Sequence, residues 1–421
     1  MKVLWITSSP IGPVSRILGL PYGGSSGTWI QTEFEAIQQD KNIQLLFMCP
    51  ISNIPNGDII CKETNEGIAY GIGYKAFIPY GTELPKKVVQ SVLKVVGEIK
   101  PDIIHIWGSE SSFSAGCASL LTEYKRVIFI QGLIGMHQRY TSPVYVRENQ
   151  YWGHISLYQK LRAKIKRYYF KNHIKLEQQA ISSAGNVITD NDYTRAYCNS
   201  FAPHTNFYQH FLAPAQVFYD TEWNIDECVP NSLFTIFGID KTKGLNQLLK
   251  ALCIVKKTIA DVKLYIPGPF NINKSGLIDT KNSSPFETWL ANFIEQNELE
   301  DNVVFLGRLD RDGMAAQFKS ANCFVSPSGM EVHSSSVREA MAVGVPTISS
   351  LCGSVAEYIE HGINGLIFRF EEEEVLAHYM IKILKDKELA KTIGREARLK
   401  MKALKDDKSM NMPFSLVYNS L

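Results

Sequence analysis

Short apolar runs alternate with amphipathic stretches along most of the chain. In the first half, the pattern predicts strands at Val3–Thr7, Ile43–Met48, Ile103–Trp107, Val127–Ile130 and Asn186–Thr189, with a helix at Thr28–Gln39. In the second half, it predicts strands at Leu233–Phe237, Val262–Ile266, Val303–Leu306, Cys323–Val325 and Thr347–Ser349, with helices at Gly244–Lys257, Glu371–Lys385 and Lys387–Lys402. Nearly continuous apolar strands are typical of parallel sheets that helices cover on both faces. The pattern therefore predicts an α/β protein with doubly wound parallel sheets.

The periodic pattern lapses between Phe201 and Asn231, where three prolines occur, and then it restarts. A chain of 421 residues is too long for one compact core, so two domains are expected. We predict an N-terminal Rossmann-like domain over residues 1–203, a linker over 204–230 and a C-terminal Rossmann-like domain over 231–403. The predicted architecture is two facing domains with a cleft between them.

Composition narrows the class of protein. The net charge of +2 gives no bulk attraction to nucleic acid. The segment Met1–Ile6 does not resemble a signal peptide, and no run reaches the roughly 18 apolar residues of a membrane span. The eight cysteines are scattered without metal-ligand spacing. We therefore expect reduced thiols and a cytoplasmic location.

The strongest candidate site is the segment PSGMEVHSSSVREAMAVGVP, residues 327–346. A helix is predicted to begin near Ser336, and backbone amides at a helix N-terminus attract phosphate. Glu331 and Glu339 flank these amides and could accept hydrogen bonds from sugar and ribose hydroxyls. This combination suits a nucleotide diphosphate sugar. Taken alone, however, Ser336 and Glu339 have the spacing of a capping box, which is the structural alternative.

The same segment resembles the signature of the retaining GT-B glycosyltransferases of family 4, which is Glu, seven residues, then Glu-Ala-Met-Ala-x-Gly-x-Pro. Glu331 and Glu339 match it without a gap, and Gly353–Gly365 resembles the loop and turn that follow in the family. The resemblance implies a donor site on the C-terminal domain, an acceptor site on the N-terminal domain, and metal-independent hexosyl transfer with retention. It also implies that residues 404–421 return to the N-terminal domain.

The resemblance implies a role for several residues of this segment. Glu331 would hold hydroxyls of the donor sugar, and Glu339 would hold those of the ribose. Ser334 and Ser335 would offer backbone amides near the sugar and phosphate, and Val337 would pack beside the nucleoside.

A second candidate is the sequence FGIDKTKG at the end of the strand predicted at Leu233–Phe237. In the family, this strand end carries an Arg and then Lys-Gly, which neutralise the leaving diphosphate. Lys243 matches the lysine, whereas Ile239 occupies the arginine position. Lys241 could substitute, but only as a point charge without the fork of a guanidinium. Each lysine could instead be a solvated loop charge.

Further loops resemble donor-binding loops of the family. The sequence YGGSSG lets the backbone approach a phosphate, which makes Gly24 a candidate. Gly268 ends one C-terminal strand, and Gly307 with Arg308 ends another, where the family's backbone groups meet the base. None of these residues says which base is bound.

The N-terminal domain contributes one candidate, Gln131, at the end of the strand predicted at Val127–Ile130. The family usually carries a His here, close to the sugar. A glutamine can hydrogen-bond a sugar hydroxyl, but it cannot exchange a proton near neutral pH. In a front-face retaining transfer the leaving phosphate oxygen can act as the base, so activity survives this replacement. His137 is an alternative base, although a loop histidine without chemistry is the simpler interpretation.

Two stretches have alternative interpretations. The sequence Asp190-Asn191-Asp192 could pass for a metal-binding DxD motif, but it precedes a predicted helix, where Asp is a common N-cap. We therefore predict no metal and no cofactor beyond the nucleotide diphosphate sugar. The stretch Lys160–Lys175 has seven Lys or Arg and no acid. It predicts either a solvated charged face or a basic helix on an anionic membrane, which would suit a lipid-linked acceptor.

The sequence thus predicts a cytoplasmic, or peripherally membrane-bound, retaining hexosyltransferase of polysaccharide or cell-surface glycan biosynthesis. Its catalytic candidates are Glu331, Lys243 and Gln131. A nucleotide-sugar epimerase or hydrolase on the same fold is one alternative. A non-catalytic subunit that binds a glycan or a partner is another, and the departures at Ile239 and Gln131 motivate it.

Overall fold

The strands and helices are taken from a computed structural model, which describes residues 1–21, 28–75, 83–140, 157–236 and 241–421. Its strands are β1 Lys2–Thr7, β2 Gln44–Ile51, β3 Ile59–Thr64, β4 Gly67–Gly73, β5 Ile103–Trp107, β6 Arg126–Phe129, β7 Asn186–Thr189, β8 Asn206–Gln209, β9 Ser232–Thr235, β10 Lys263–Pro267, β11 Val303–Gly307, β12 Cys323–Ser326, β13 Thr347–Ser350 and β14 Leu366–Phe368. Its helices are α1 Gly12–Leu18, α2 Thr28–Ile37, α3 Lys86–Ile99, α4 Ser112–Leu120, α5 Ile134–Tyr140, α6 Leu157–Ala184, α7 Asp192–Asn199, α8 Gln216–Asp220, α9 Leu245–Lys256, α10 Pro285–Gln296, α11 Arg311–Ser320, α12 Ser335–Val343, α13 Glu373–Lys385, α14 Lys387–Asp406 and α15 Phe414–Ser420.

The chain divides into two units, of which the first contains Met1–His137, Ile155–Leu212 and Lys408–Leu421. Within its described residues, one sheet has the order β3-β4-β2-β1-β5-β6-β7-β8, and all neighbouring strands are parallel except β3 and β4. The sheet is therefore the parallel Rossmann-like sheet that the apolar pattern predicts, extended by one antiparallel edge strand.

Large aromatic side chains fill the core of the first sheet. Trp5, Phe47, Trp107 and Phe129 are fully buried, each on a different strand. The ring centroid of Trp107 is 4.9 Å from that of Trp5 and 4.9 Å from that of Phe129. Rings at this separation and angle pack favourably beyond the area that they bury.

The hairpin of β3 and β4 was not predicted, because its sequence hides the strand pattern. Most β3 side chains are exposed, as expected of an edge strand. In β4, a Cβ atom on Gly71 would overlap the Ile51 side chain, and one on Gly73 would overlap the Pro55 carbonyl. These glycines therefore permit close packing within a strand.

The predicted linker, residues 204–230, contains more structure than expected. Asn206–Gln209 forms β8, which pairs in parallel with β7 and belongs to the first sheet. The boundary between the units falls between Leu212 and Ala213. A four-residue strand is too short for its periodicity to be recognised beside several prolines.

The last segment of the chain packs on the first sheet. Trp5 Nε1 donates a hydrogen bond to Tyr418 Oη over 3.0 Å, and this hydroxyl lies 2.7 Å from His105 Nδ1. Because the indole can only donate, the tyrosine oxygen accepts from Trp5, and the same hydroxyl is hydrogen-bonded to a neutral His105. Burial lowers the pKa of His105 well below its usual value, which agrees with this assignment. Residues 408–421 thus belong to the first unit.

The second unit contains Gln138–His154 and Ala213–Asp407. In the part of it that the structure describes, the sheet order is β11-β10-β9-β12-β13-β14, and every neighbouring pair is parallel. Each strand predicted in this half is present within two residues of its predicted bounds. Two parallel-sheet α/β units confirm the predicted fold class.

Helix α6 contains the basic stretch Lys160–Lys175. Ile165, Tyr168, Lys171 and Lys175 are exposed. None of the helices in the described residues is long and apolar enough to cross a membrane.

Candidate functional site

Four parallel strands of the second unit bring the predicted donor residues to one edge. Strands β11, β10, β9 and β12 are neighbours, so the loops at their carboxyl ends lie side by side. These loops carry Arg308, Gly268, Lys243 and Glu331 respectively. Residues that are far apart in the sequence are therefore collected at a single sheet edge.

The two strongest sequence candidates meet there. Lys243 Nζ lies 2.5 Å from Glu331 Oε1, in a hydrogen-bonded ion pair between positions 88 residues apart. The main chain joins the same two loops, because Gly329 N donates to Thr242 O over 2.7 Å. Gly244 has φ 74°, and a Cβ atom on it would overlap the Pro327 carbonyl. The conformation and the close approach of the loops both require glycine at this position.

The end of β13 and the loop after it, which contain Ser350, Gly353 and Ser354, contact the backbone on either side of Glu331. Ser354 Oγ donates to Val332 O over 2.5 Å, and Ser350 Oγ donates to Ser328 O. Gly353 has φ 51°, and a Cβ atom on it would overlap the Glu331 carbonyl oxygen. The segment that resembles the family's following loop therefore holds the backbone of Glu331 in place.

Helix α12 begins earlier than predicted, and the capping-box alternative is wrong. The N-cap is Ser334, with φ 44° and ψ 53°, and its side chain makes no capping hydrogen bond. Glu339 is consequently the fifth helical residue, whereas a capping box requires the third. Position 334 is left-handed although it is not glycine, which is an uncommon and strained conformation often found at functional sites.

Glu339 lies one helical turn inside α12 and is only partly exposed. Burial raises the pKa of its carboxyl to about 8, although the nearby Arg311 opposes this shift. The group is therefore mostly protonated at neutral pH. A ligand hydroxyl that donates a hydrogen bond to this carboxyl would favour its ionised form. Carboxyl groups with strongly shifted pKa values are common at binding sites.

The two loops assigned to the base are joined by their backbones. Gly268 N donates to Gly307 O over 2.7 Å, where the register of β10 and β11 shifts. Gly307 has φ 71° and no heavy atom within 4 Å of the position that a Cβ atom would take. Arg308, the next residue, is exposed. Open space therefore lies beside this strand end.

The other predicted donor residues are buried, partly buried, or described only in their backbone. The Val337 side chain is fully buried, and its amide donates to Ser334 O over 3.0 Å, so neither group faces outward. Ser335 is partly buried and opens the helix. Lys241 lies in the short 3-10 turn Lys241–Lys243, where only its backbone is described.

Two positions fall outside the described residues, namely Gly24 and Ile239. Their roles stay predictions. The buried residues Arg338 and His333 lie on the same segment as Glu331. The guanidinium of Arg338 stacks over the Tyr358 ring at 5.0 Å, which gives it a packing role within the unit.

In the first unit, Gln131 follows β6 and is partly buried. Close to it lies a group of residues that the sequence analysis missed. Glu177 Oε1 accepts from Ile134 N at 2.7 Å, and Oε2 accepts from Gly135 N at 3.0 Å and from Tyr197 Oη at 2.9 Å. The carboxylate of Glu177 thus caps the N-terminus of α5, a contact that no local pattern signals because 43 residues separate Glu177 from Ile134.

The Asp190-Asn191-Asp192 sequence is occupied by local hydrogen bonds. Asn191, rather than an aspartate, is the N-cap of α7, and its side chain accepts from Thr194 N at 2.8 Å. Asp190 accepts from Asn191 Nδ2 at 2.9 Å and from Leu212 N at 3.3 Å. These contacts favour the capping interpretation of this sequence.

Comparison of the sequence with known proteins identifies a family model and several relatives, each of which matches part of the chain. Residues 230–400 match the family model described as glycosyl transferases group 1. N-acetyl-alpha-D-glucosaminyl L-malate synthase of Bacillus anthracis is 28% identical over 166 residues, which is 39% of this chain and 39% of that protein. A GDP-mannose-dependent alpha-mannosyltransferase of Corynebacterium glutamicum is 34% identical over 70 residues, 17% of each chain. The chain therefore matches about two fifths of the length of the first relative.

Solved structures resemble the whole chain. Sucrose-phosphate synthase from Thermosynechococcus elongatus has a TM-score of 0.73 at 17% identity, covering 100% of this chain and 99% of that chain. The Anabaena protein HepE, in complex with UDP, has a TM-score of 0.67 at 14% identity, covering 100% of both chains. At these identities the likeness concerns the fold, and the chain has the GT-B fold that these glycosyltransferase structures share.

Proposed function

We propose that this chain is a glycosyltransferase that moves a hexosyl residue from a nucleotide diphosphate sugar to a glycan or lipid-linked acceptor. The observation that carries the proposal is the Lys243–Glu331 pair at 2.5 Å, on loops at the carboxyl ends of the neighbouring strands β9 and β12. One cation and two acidic side chains, on and beside the first turns of a helix whose N-cap side chain makes no capping hydrogen bond, suit a ligand with both phosphates and hydroxyls. The family match over residues 230–400 includes all three residues.

In this proposal each group has a distinct task toward the donor. Lys243 and the first amides of α12 neutralise the diphosphate, because a helix N-terminus carries partial positive charge. Glu339 accepts hydrogen bonds from the ribose hydroxyls, and Glu331 accepts them from the sugar. Gly268, Gly307 and the adjacent Arg308 border the space for the base.

The proposed reaction retains the configuration of the sugar. The bond between C1 and the diphosphate oxygen breaks, and its electron pair stays on the diphosphate. A bond forms between C1 and the acceptor oxygen on the same face, and the acceptor proton moves to the leaving phosphate oxygen. Charge accumulates on the diphosphate, so electrostatic stabilisation by Lys243 and α12 is the main contribution and no metal ion is required. Gln131 hydrogen-bonds a sugar hydroxyl without transferring a proton.

The wider assignment concerns location and pathway. We propose a cytoplasmic enzyme of polysaccharide or cell-surface glycan synthesis, with the acceptor on the first unit. The exposed Ile165, Tyr168, Lys171 and Lys175 support peripheral contact of α6 with anionic lipid, because apolar and basic side chains together favour a membrane interface. Failure of the protein to sediment with anionic liposomes at low salt would contradict this contact.

The proposal is tested by calorimetric titration with UDP, GDP and ADP in the presence of EDTA. UDP is tried first because the Anabaena neighbour was solved with it. One nucleotide should bind, and Glu339→Ala should weaken it at least about tenfold, or about 1.4 kcal/mol. Glu300→Ala, an exposed acid of the same unit, is the control and should bind like the wild type.

A second variant gives a change of opposite sign. Glu331→Gln should strengthen binding of the free nucleotide about threefold, because it releases Lys243 from its ion pair and removes a charge that repels phosphate. Absence of binding to all three nucleotides would overturn the proposal and favour a non-catalytic subunit. Binding that depends on neither Glu339 nor Glu331 would place the nucleotide elsewhere.

A further inference from the structure

A pocket of about 610 Å³ opens in the first unit. Its described lining residues follow β1, β2, β4 and β5, which are neighbouring strands with their carboxyl ends at one edge. Ile51, Tyr74 and Phe113 supply apolar surface, while Asn53 and Glu110 supply polar atoms. A concave apolar surface with a few convergent polar groups is the usual form of a small-molecule site.

Glu110 is the acidic residue of this lining, and the backbone holds it in place. Gly108 has φ 82°, and a Cβ atom on it would overlap the Glu110 carboxyl. The carboxyl accepts hydrogen bonds from the backbone amides of Glu110, Gly132 and Ser109. Gly108 N itself donates to Phe129 O over 2.9 Å, which joins the loops after β5 and β6. Glu110 is therefore oriented by two strand-end loops, one of which also carries Gln131.

The charge of the lining selects the kind of ligand. Among the described lining residues, Lys75 is the one cation, and its side chain is exposed. Serine hydroxyls and the Asn53 amide supply most of the other polar atoms. A phosphate group would meet the Glu110 carboxylate with little positive charge to offset it, whereas an uncharged polyol would meet hydrogen-bonding groups.

We propose that this pocket binds an uncharged carbohydrate and that Glu110 accepts a hydrogen bond from one of its hydroxyls. The proposal rests on the glycosyltransferase function proposed above, in which this carbohydrate is the end of the acceptor that receives the sugar. Glu110 thereby selects a neutral sugar over a sugar phosphate. The aromatic face of Tyr74, which is mostly buried beside the pocket, offers packing surface for the ring.

The titration of Glu110 makes the proposal sensitive to pH. Burial raises the pKa of Glu110 to about 7, and the charge of Glu177 on α6 adds to this effect, while backbone hydrogen bonds oppose it. Glu177 is itself paired with the Tyr197 hydroxyl, and Lys75 is the cation of the pocket. An ionised carboxylate is the stronger acceptor for a hydroxyl. Carbohydrate binding should therefore strengthen as the pH rises from about 6 to about 8.

The experiment uses the full chain and saturation-transfer NMR. The probes are the methyl glycosides of glucose, galactose, mannose and N-acetylglucosamine, each compared with the corresponding hexose 6-phosphate. At least one glycoside should bind at millimolar concentration, and its 6-phosphate should bind at least about tenfold more weakly. Glu110→Gln should weaken glycoside binding about tenfold and remove the pH dependence of this binding. It should also reduce the difference in affinity between the glycoside and the 6-phosphate. Glu98→Gln, an exposed acid on α3, is the control and should change none of these.

Three results would overturn the inference. They are absence of glycoside binding to the wild type, tighter binding of a 6-phosphate than of its glycoside, and unchanged binding by Glu110→Gln. The wild-type pH profile tests the role of Glu110 without a variant, so poor folding of Glu110→Gln leaves the inference refutable. Nucleotide titration separates the two proposals. Absence of glycoside binding with intact nucleotide binding would refute only the proposed acceptor pocket. Failure to bind any nucleotide would refute the proposed donor site.

Discussion

Replacing Glu339 by glutamine should stabilise the second unit at alkaline pH. Burial raises the pKa of this carboxyl from 4.5 to about 8, with Arg311 opposing the shift. Between these pH values the folded chain keeps a proton that the unfolded chain releases, so the free energy of unfolding falls as pH rises through this window. Glutamine does not titrate, and the variant therefore keeps the stability that the wild type loses.

The magnitude follows from the difference between the two pKa values. At about 1.4 kcal/mol for each pH unit, the interval from 4.5 to about 8 sets an upper bound of about 5 kcal/mol above pH 8. Glu339 is partly exposed, and solvent screening reduces the effect. We expect a gain of about 1–2 kcal/mol, which corresponds to a rise in Tm of about 3–6 °C for a unit of this size.

Differential scanning calorimetry at about pH 5 and about pH 8.5 measures this gain. The transition of the second unit is identified as the one that a bound nucleotide shifts. The wild type and Glu339→Gln should have similar Tm values at the lower pH and separate at the higher one, while Glu300→Gln should follow the wild type at both. A lower Tm for Glu339→Gln at pH 8.5 would refute the reasoning, because it would mean that the ionised carboxylate stabilises the fold.

If Glu339→Gln is more stable but binds nucleotide more weakly, the carboxyl of Glu339 serves binding and not stability. A residue that destabilises the empty unit and is needed by the ligand is typical of binding sites. A residue with a purely structural role would lower stability when it is replaced. The two measurements on one variant therefore distinguish a site residue from a structural one.

Three further predictions concern separate parts of the molecule. Lys243→Met should weaken UDP binding at least about tenfold in calorimetry but leave uridine binding unchanged, because the proposed role of the lysine is to neutralise phosphate. Equal losses for UDP and uridine would contradict this role. Gly244→Ala should lower Tm more than Gly276→Ala does. Both glycines have positive φ, so both variants incur the backbone strain of about 1–3 kcal/mol, but of the two only Gly244 contacts another loop. Tyr418→Phe should destabilise the first unit by about 2–4 kcal/mol in urea unfolding, because it leaves the buried Trp5 Nε1 and His105 Nδ1 without their hydrogen-bond partner. An unchanged urea midpoint would show that these hydrogen bonds do not stabilise the fold.

Much of the fold follows from local sequence. The strands β1, β5, β9, β12 and β13 are recognisable because nearly all of their residues are buried, on both faces of the sheet. The edge strand β3 and the four-residue strand β8 are not, since exposed edges and short runs lack that signal. The strand, loop and helix around residues 327–346 also lie within one stretch of chain, so their motif is visible without a structure.

Relations between remote parts of the chain were decided by the tertiary structure. The sequence by itself identified Lys243, Glu331 and Glu339 as candidates, because each matches a motif position of the family that the chain resembles. It could not show that Lys243 and Glu331 form a pair at 2.5 Å, or that Ser334 rather than Ser336 caps α12. Glu110 and Glu177 escaped notice because burial by elements far away in the chain raises their pKa values. Desolvation and close contact depend on which segments pack together, and only the folded chain determines that.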